Sequence, residues 1–259
     1  GVSVANWDFA TNTVFPVIQH NVFRETAGTT VLISGQNHAT VRNNVLSSAA
    51  GEYVYGLGVG CTLDADYNSI SPVPGGRVFR QEQERSQSPV PIIYETVGAW
   101  ALVSSNDLHS YDGDPLLVDA TNHVYQLRSR AGRWVSGTNW VQDDVTSPLV
   151  DSGDPASLAW ANEPADNGQR VNVGLYGGTP RASKTDTNSA LHLLTLNRGG
   201  VASNQVALTW RAVGAATGRT VRLEVSLDDG ATWPVLVATG IPAELGGVIW
   251  NSSGLSSPL

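Results

Sequence analysis

Asp64 and Asp66 lie two residues apart, either side of Ala65, in a short run rich in apolar residues. Positions i and i+2 of an extended strand project from one face, so an outward face there would carry two carboxylates side by side. Such a pair can divide the general-acid and general-base roles of glycosidic cleavage, or hold Ca²⁺ through oxygen. Asp112, Asp114 and Asp119 form a second oxygen-rich stretch, with Gly113 between the first two, and Asp151 and Asp154 form a third. Neither matches an EF-hand loop. The open readings are Ca²⁺ binding and plain turn stabilisation, and Ca²⁺ is the one cofactor these residues imply. Trp134 and Trp140 stand in a polar, glycine-bearing stretch, and Tyr53 and Tyr55 share one face of a strand. Exposed rings of this kind stack on the C–H faces of sugars.

Other chemistries lack their residues. There is no nucleotide-binding loop, zinc spacing or G-x-S-x-G elbow. The histidines at 20, 38, 109, 123 and 192 show no metal spacing. Cys61 is the single cysteine, so no intrachain disulfide can form, and its apolar neighbours predict a buried thiol. The 259 residues carry a net charge of −8, with 15 Lys+Arg of which Lys184 is the one lysine. Without clustered cations a nucleic-acid partner is not expected. No apolar run reaches the roughly 18 residues of a membrane span. Hydrophobic residues at 41% suffice for a core, while charged residues at 15% leave the surface to Asn, Gln, Ser, Thr and Gly. The lysine-poor, acidic composition predicts an extracellular or cell-surface protein. The chain starts with Gly and carries no signal peptide, as expected of a processed or excised piece.

The elements that must position these residues are set by a repeat. Asn21, Asn44 and Asn68 recur in matching contexts, each with an apolar residue three before it (Ile18, Val41, Ala65) and another two after it (Phe23, Leu46, Ile70). Val103 to Leu108, around Asn106, fits as a fourth copy. Short β-type runs broken by Gly and Asn at a period near 23 predict one coil of a parallel β-solenoid per period. Strands of successive coils would pair ~4.8 Å apart, apolar residues would stack inward in files, and the asparagines would form a file of hydrogen-bonded amides at a bend. By this register Gln19, Arg42 and Asp66 share a file, so an Arg42–Asp66 ion pair is an alternative role for Asp66. His20, Asn43 and Tyr67 share another, which gives His20 a role in the turn. From about Ser71 to Gly98 the pattern is interrupted by an insertion with Pro72, Pro74, Gly75, Gly76 and the polar run Arg80 to Ser86, a solvated loop or a binding excursion.

These residues resemble the right-handed parallel β-helix family of secreted bacterial proteins. The segments Tyr111 to Leu116, His123 to Leu127, Ser147 to Pro155 and Asn167 to Thr179 are similar to the C-terminal end of such proteins, and Arg170 would there bond backbone carbonyls near a cap. The resemblance spans about residues 15–184. It implies an outer wall like the one on which related polysaccharide-cleaving β-helices work, and places Asp64 and Asp66 there.

After a polar linker at 185–189 the pattern alternates with period two. Residues 190–259 resemble the opening strands of an immunoglobulin- or fibronectin-III-like sandwich. Ser226, Asp228, Gly230, Thr232 and Trp233 match the Asp-box S-x-D-x-G-x-T-W, which resembles the boxes of sialidases; one copy without their arginine cluster predicts a structural hairpin. Trp210, Trp233 and Trp250 are expected in the sandwich core. About five strands are present where about seven are needed, so a fragment, or completion by end-to-end self-association, is expected. The fold class is thus all-β: a right-handed parallel β-helix over 1–184 plus a partial antiparallel β-sandwich. The leading expectation is a secreted protein that binds polysaccharide or a cell-surface glycan, as part of a glycoside hydrolase or lyase if it is an enzyme. The alternatives are a non-catalytic structural, adhesive or filament-forming protein, and a hydrolase with its site in the 71–98 insertion.

Overall fold

The computed structural model describes residues 1–5, 15–83, 90–165, 167–198, 204–228 and 230–253. The end of the expected insertion run (84–86), Asp229 of the Asp-box and residues 256–259 lie outside them, as does most of an expected first strand at 2–9. The protein is all-β, built from several small sheets with few helices. In chain order the strands are β1 (Val2–Val4), β2 (Val17–Gln19), β3 (Val22–Thr26), β4 (Val31–Ile33), β5 (His38–Arg42), β6 (Val45–Ser48), β7 (Tyr53–Leu57), β8 (Thr62–Asp66), β9 (Ser69–Ile70), β10 (Arg77–Gln81) and β11 (Ile92–Tyr94). Helix α1 (Val97–Ser104) comes next, then β12 (Leu117–Asp119), β13 (Val124–Leu127), β14 (Arg133–Ser136) and β15 (Asn139–Val141). The last strands are β16 (Ala190–Leu193), β17 (Gln205–Val213), β18 (Thr220–Val225), β19 (Val235–Pro242) and β20 (Gly247–Asn251).

Up to β10 the strands recur in threes, and each pairs in parallel with its counterpart one repeat away. The sheets run β2-β5-β8, β3-β6-β9 and β1-β4-β7-β10, the last extended by antiparallel β11. The register matches Ile18 with Val41 and Val41 with Ala65. It also matches Phe23 with Leu46 and Leu46 with Ile70. These files fill the first core, with Val31, Ile33, Tyr55, Leu57 and Phe79 from the third sheet. Cys61 is buried in the same core.

The polar counterpart of these files is a ladder of amides. Asn44 Oδ1 accepts from the Asn21 backbone N–H (3.0 Å) and side-chain amide (3.1 Å). Asn68 Oδ1 does the same for Asn44, at 3.0 and 3.1 Å. The Asn44 amide also donates to the Ile18 and Arg42 carbonyls (2.8 Å each), and the Asn68 amide to Val41 O (2.8 Å). Buried amides would be costly unpaired; here each satisfies its neighbour. The residue before each asparagine takes the left-handed bend, with φ of 55° at His20, 60° at Asn43 and 56° at Tyr67. His20 therefore serves the turn, as expected.

The fourth copy departs from expectation. Val97–Ser104 is a helix, capped by Thr96, whose hydroxyl accepts from Ala99 N (3.2 Å). Its apolar run buries Trp100 against Phe79, ring on ring at 3.8 Å, so the helix closes the core below β10. Val103 is 58% exposed instead of joining the inward file, and Leu108 is exposed as well. A bridge between Ser69 and Tyr111 sets the next register. It puts Ser110 opposite Asn68, and the Ser110 hydroxyl accepts from Asn68 N (2.8 Å). Asn106 instead accepts from Ala65 N (2.7 Å).

The segment expected to cap the stack lies along its flank. β6 is buried on both faces because Val45, pointing outward, is covered with Val22 by Leu149, Val150 and Val173. Gly174 N donates to Asn43 O (2.8 Å) and Asp154 N to Asn43 Oδ1 (2.7 Å). A Cβ on Gly177 would stand 1.9 Å from Asn172 O and 2.7 Å from His20 Nδ1, so only glycine fits there. Arg170 bonds the Gly153 and Ser152 carbonyls as expected.

Beyond α1, β16-β17-β20 and β18-β19 form two antiparallel sheets around Trp210, Val221 and Ala243. One side of β17 docks on α1, where a Cβ on Gly98 would meet Ala207 O at 3.3 Å. Arg211 reaches across to the carbonyls of Pro148 (2.8 Å) and Asp151 (3.0 Å). In the Asp-box, Asp228 accepts from Thr232 N (2.7 Å) and Thr232 Oγ1 (2.6 Å), and Gly230 has φ 89°. Trp210 is buried and Trp250 half-buried, but Trp233 is 56% exposed, because the two strands β18 and β19 are too narrow a layer to cover it.

Replacing Asn44 with Ala would leave the Asn21 backbone N–H without its acceptor, take the donated amide from the Ile18 and Arg42 carbonyls, and leave Asn68 Oδ1 with the residue-44 backbone N–H alone. We expect a loss of roughly 2–4 kcal/mol in urea unfolding, and a smaller loss, about 1 kcal/mol, for Asn21→Ala at the open end. Equal effects at both positions would show that the repeats do not lean on the ladder.

Candidate functional site

The outward face of β2-β5-β8 carries the first group. Thr40 and Asp64, and Arg42 and Asp66, are register partners, and both carboxylates project outward. Arg42 reaches diagonally to Asp64, at 2.8 and 3.0 Å to its two oxygens, and lies 3.7 Å from Asp154. The expected Arg42–Asp66 pair is therefore replaced by Arg42–Asp64. Burial pulls the Arg42 guanidinium down, but the hydrogen bond and charge of Asp64 outweigh it and leave it above its usual value.

Asp66 is held by a residue that sequence spacing does not single out. Its Oδ2 takes His109 Nδ1 (2.7 Å), while Oδ1 accepts from His109 N (2.8 Å) and Tyr67 N (2.9 Å). The Asp66 side chain is 14% exposed and that of His109 54%. The Tyr67 ring lies on the imidazole at 4.9 Å and 8°. Arg42 and Arg170 stand 5.9 and 5.4 Å from the Tyr67 centroid. Burial, then the Asp66 charge, raises the Tyr67 phenol above its usual value. With the carboxylate accepting, Nδ1 carries a proton, which leaves Nε2 as the ring nitrogen free to exchange one. That arrangement orients a general base or acid. The two aspartates do not form a free carboxylate pair: Asp64 is bound by a cation, and Asp66 orients an imidazole.

A second group is the hairpin β14-β15. Trp134 and Trp140 are cross-strand partners, and Trp134 Nε1 donates to Gly137 O (2.9 Å) across the turn. Gly137 has φ 52°, the left-handed bend a two-residue turn requires. Arg181 lies 4.5 Å from the Trp134 centroid and Lys184 Nζ 4.6 Å from that of Trp140. Each half-buried ring thus has a cation against one face. Trp134, Gly137, Thr138, Trp140, Pro180 and Arg181 line an open hollow of about 500 Å³. Tyr53 and Tyr55, the other expected platform, offer no ring face: Tyr53 is 8% exposed and Tyr55 fully buried. The wide core beneath β7 takes Tyr55 inward, and Arg77 and Arg80 cover Tyr53.

The acidic stretch does not converge on a cation. Asp112 accepts from Leu196 N (2.7 Å), Asn197 N (3.0 Å) and Asn197 Nδ2 (2.9 Å), pinning the chain after β16. Asp114 accepts from Leu116 N, and Asp119 from Asn122 N and Nδ2. Asp112 is used to hold the chain at 196–197, Asp114 and Asp119 hold their own turns, and among the described residues no three metal-ligating side chains come together. The expected Ca²⁺ set at 112, 114 and 119 is thus not brought together: it resolves into one carboxylate that bridges to residues 196–197 and two that hold turns.

Two carboxyls have markedly raised pKa values, a mark of some functional sites. Burial raises Asp107 to about 6; its three donors are Ser110 Oγ (2.6 Å), Trp100 Nε1 (3.2 Å) and Asn68 Nδ2 (3.3 Å). It ends the asparagine ladder, out of reach of solvent. Burial raises Glu163 to about 7. Its Oε1 accepts from Asn172 N (2.8 Å) and Gly178 N (2.7 Å), and Oε2 has no partner among the described residues. Both serve structure.

The class defined here is an all-β protein with parallel-paired repeats, a histidine held by Asp66, and a separate hollow lined by two tryptophans. Residues 92–153 match the family described as Disaggregatase related. The match covers about a quarter of the chain and includes α1, His109, Asp112 and the tryptophan hairpin. No curated protein and no solved structure matches the chain. Among the described residues no helix is long and apolar enough to cross a membrane.

Glu163→Gln keeps the acceptor for Asn172 and Gly178 and removes the charge. The folded wild type holds this proton up to about pH 7, the unfolded chain only to about 4.3. Glu163 therefore costs the wild type stability as pH rises through that window. We expect the variant to match wild type at pH 4.5 and to exceed it by on the order of 2 kcal/mol at pH 8, read by urea unfolding at both values. A difference independent of pH would contradict the assignment.

Proposed function

We propose that this is an extracellular glycan-binding protein whose first strands wind as a right-handed parallel β-helix. The parallel pairing of three strand files in steps of 23 and 24 residues supports the winding. The lysine-poor, acidic surface supports the location. The observation that carries the function is the hollow lined by Trp134 and Trp140: two half-buried rings, each with a cation near it, Arg181 and Lys184, with room for one or two sugar rings and with Thr138 and Arg181 among its lining. The hollow falls partly within the stretch similar to the Disaggregatase related family. A binding surface for polysaccharide needs such platforms more than a deep pocket.

A catalytic reading has its own support in Asp66–His109, an imidazole anchored at Nδ1 with Nε2 free to exchange a proton. On a glycan lying along that wall, His109 would move the proton and Asp66 would hold the ring. This would make the protein a polysaccharide-active hydrolase or lyase.

A glycan array followed by calorimetry on the best binder tests the first reading. Trp134→Ala and Trp140→Ala should each weaken binding tenfold or more, about 1.4 kcal/mol, with unfolding midpoints kept. Retention of affinity in both variants would remove the hollow from consideration. For the second reading, reducing-sugar release from a polysaccharide panel should be present in wild type. It should fall at least a hundredfold in His109→Gln, with binding to the Trp134–Trp140 hollow intact; equal release by the variant would exclude His109.

A further inference from the structure

A hollow of about 650 Å³ is lined by none of the side chains of the two groups above, Asp64, Asp66, His109, Trp134 and Trp140. It opens where the chain between β9 and β11 meets the segment after β16. Its lining includes the apolar side chains of Pro72, Val73, Pro74, Val78, Ile93 and Val97. Its size is that of a small-molecule site.

Charge is confined to the rim and is unequal. Four charged residues line it: Arg77, Glu95, Asp112 and Arg198. Asp112 is spent, since its oxygens accept three N–H groups from Leu196 and Asn197. Glu95 is 74% exposed at its side chain and stands 3.7 Å from Arg77, a separation at which an exposed pair holds little. Arg77 gives Nη1 to Tyr53 OH (2.8 Å), which fixes its direction. Arg198 gives Nη2 to Pro72 O and makes no ion pair among the described residues. Two guanidiniums, each hydrogen-bonded to a neutral partner, therefore line a hollow with two carboxylates: Glu95, loosely held, and Asp112, already bound by three N–H groups and within the field of Arg198. A guanidinium with free N–H groups takes a carboxylate in a fork.

We propose that this hollow binds a small organic carboxylate with an apolar body, its anionic end between Arg77 and Arg198 and its body against Val73, Pro74 and Ile93. The proposal is independent of the glycan reading, because none of these residues lines the Trp134–Trp140 hollow. It also gives a role to the 72–97 excursion, which a solvated loop would not need.

The test is two-dimensional NMR of the full chain titrated with hexanoate, hexanamide and glucuronate. Saturable shifts at Val78, Ile93 and Val97 are expected with hexanoate, at least tenfold weaker with hexanamide. Arg198→Gln should weaken hexanoate at least tenfold. Should that variant fold poorly, Ile93→Glu sets a negative charge on an exposed side chain of the wall, and is expected to abolish the shifts while the rest of the spectrum is kept. Equal binding of hexanamide would overturn the anionic recognition, and preference for glucuronate would overturn the apolar body. Absence of saturation by any probe at tens of millimolar, or hexanoate binding unchanged in either variant, would overturn the site.

Discussion

The asparagine ladder is the constraint on which the remaining structure depends. Asn44 and Asn68 each accept from the backbone and side chain of the asparagine one repeat before. A slip of one residue would flip every inward side chain of the parallel strands to solvent, and would leave these amides buried without partners. The ladder therefore fixes register where apolar files alone would tolerate error. It also shapes the chain beyond β9: Asn68 needs an acceptor on its far side, and Asp107 with Ser110 supplies one. Keeping Asp107 dry needs a lid, which is Trp100 of α1. The helix thus owes its place to the polar file as much as to its own apolar run.

The repeat, the two apolar files and the amide ladder are legible in the sequence because they obey one period. The fourth copy misleads because its spacing imitates the repeat, while Thr96 supplies a helix cap and Val97 to Val103 an unbroken run that packs better as a helix on Phe79. Asn106 occupies the expected spot, yet the ladder passes through Ser110 and Asp107. The role of His109 is invisible to spacing, since it meets Asp66 across 43 residues. The tryptophan pair is readable as two aromatics around a Gly turn; the cations on their faces come from Arg181 and Lys184, more than forty residues on. Tyr53 and Tyr55 read as a platform because strand alternation gives a face but not its direction. A Gly between Asp112 and Asp114 suggests an ion loop just as readily as the separate duties these residues have, Asp112 at the distant residues 196–197 and Asp114 and Asp119 in their own turns.

The strands after 190 are docked, not tethered. Asp112 holds Leu196 and Asn197, Arg211 holds the carbonyls of 148 and 151, and β17 lies on α1. Burial lowers the Arg211 guanidinium to about 10 and His192, beside it, to about 4. A buried charge of this kind is tolerated because carbonyls surround it, and removing them would strand it. The segment 185–189, which reads as a linker, is itself pinned: Asp186 accepts from the Thr146 hydroxyl at 2.7 Å.

The file of left-handed residues His20, Asn43 and Tyr67 has a consequence for how the molecule breathes. Each non-glycine residue in that conformation stores about 1 kcal/mol, and three stand in a row along one corner. Their tension is contained by the pieces that lie on them: Gly177 against His20, Gly153 and Asp154 against Asn43, His109 against Tyr67. When those overlying pieces lift, the corner is where the backbone recoils first. Local opening at this corner would therefore release strain that the straight strands on either side do not carry.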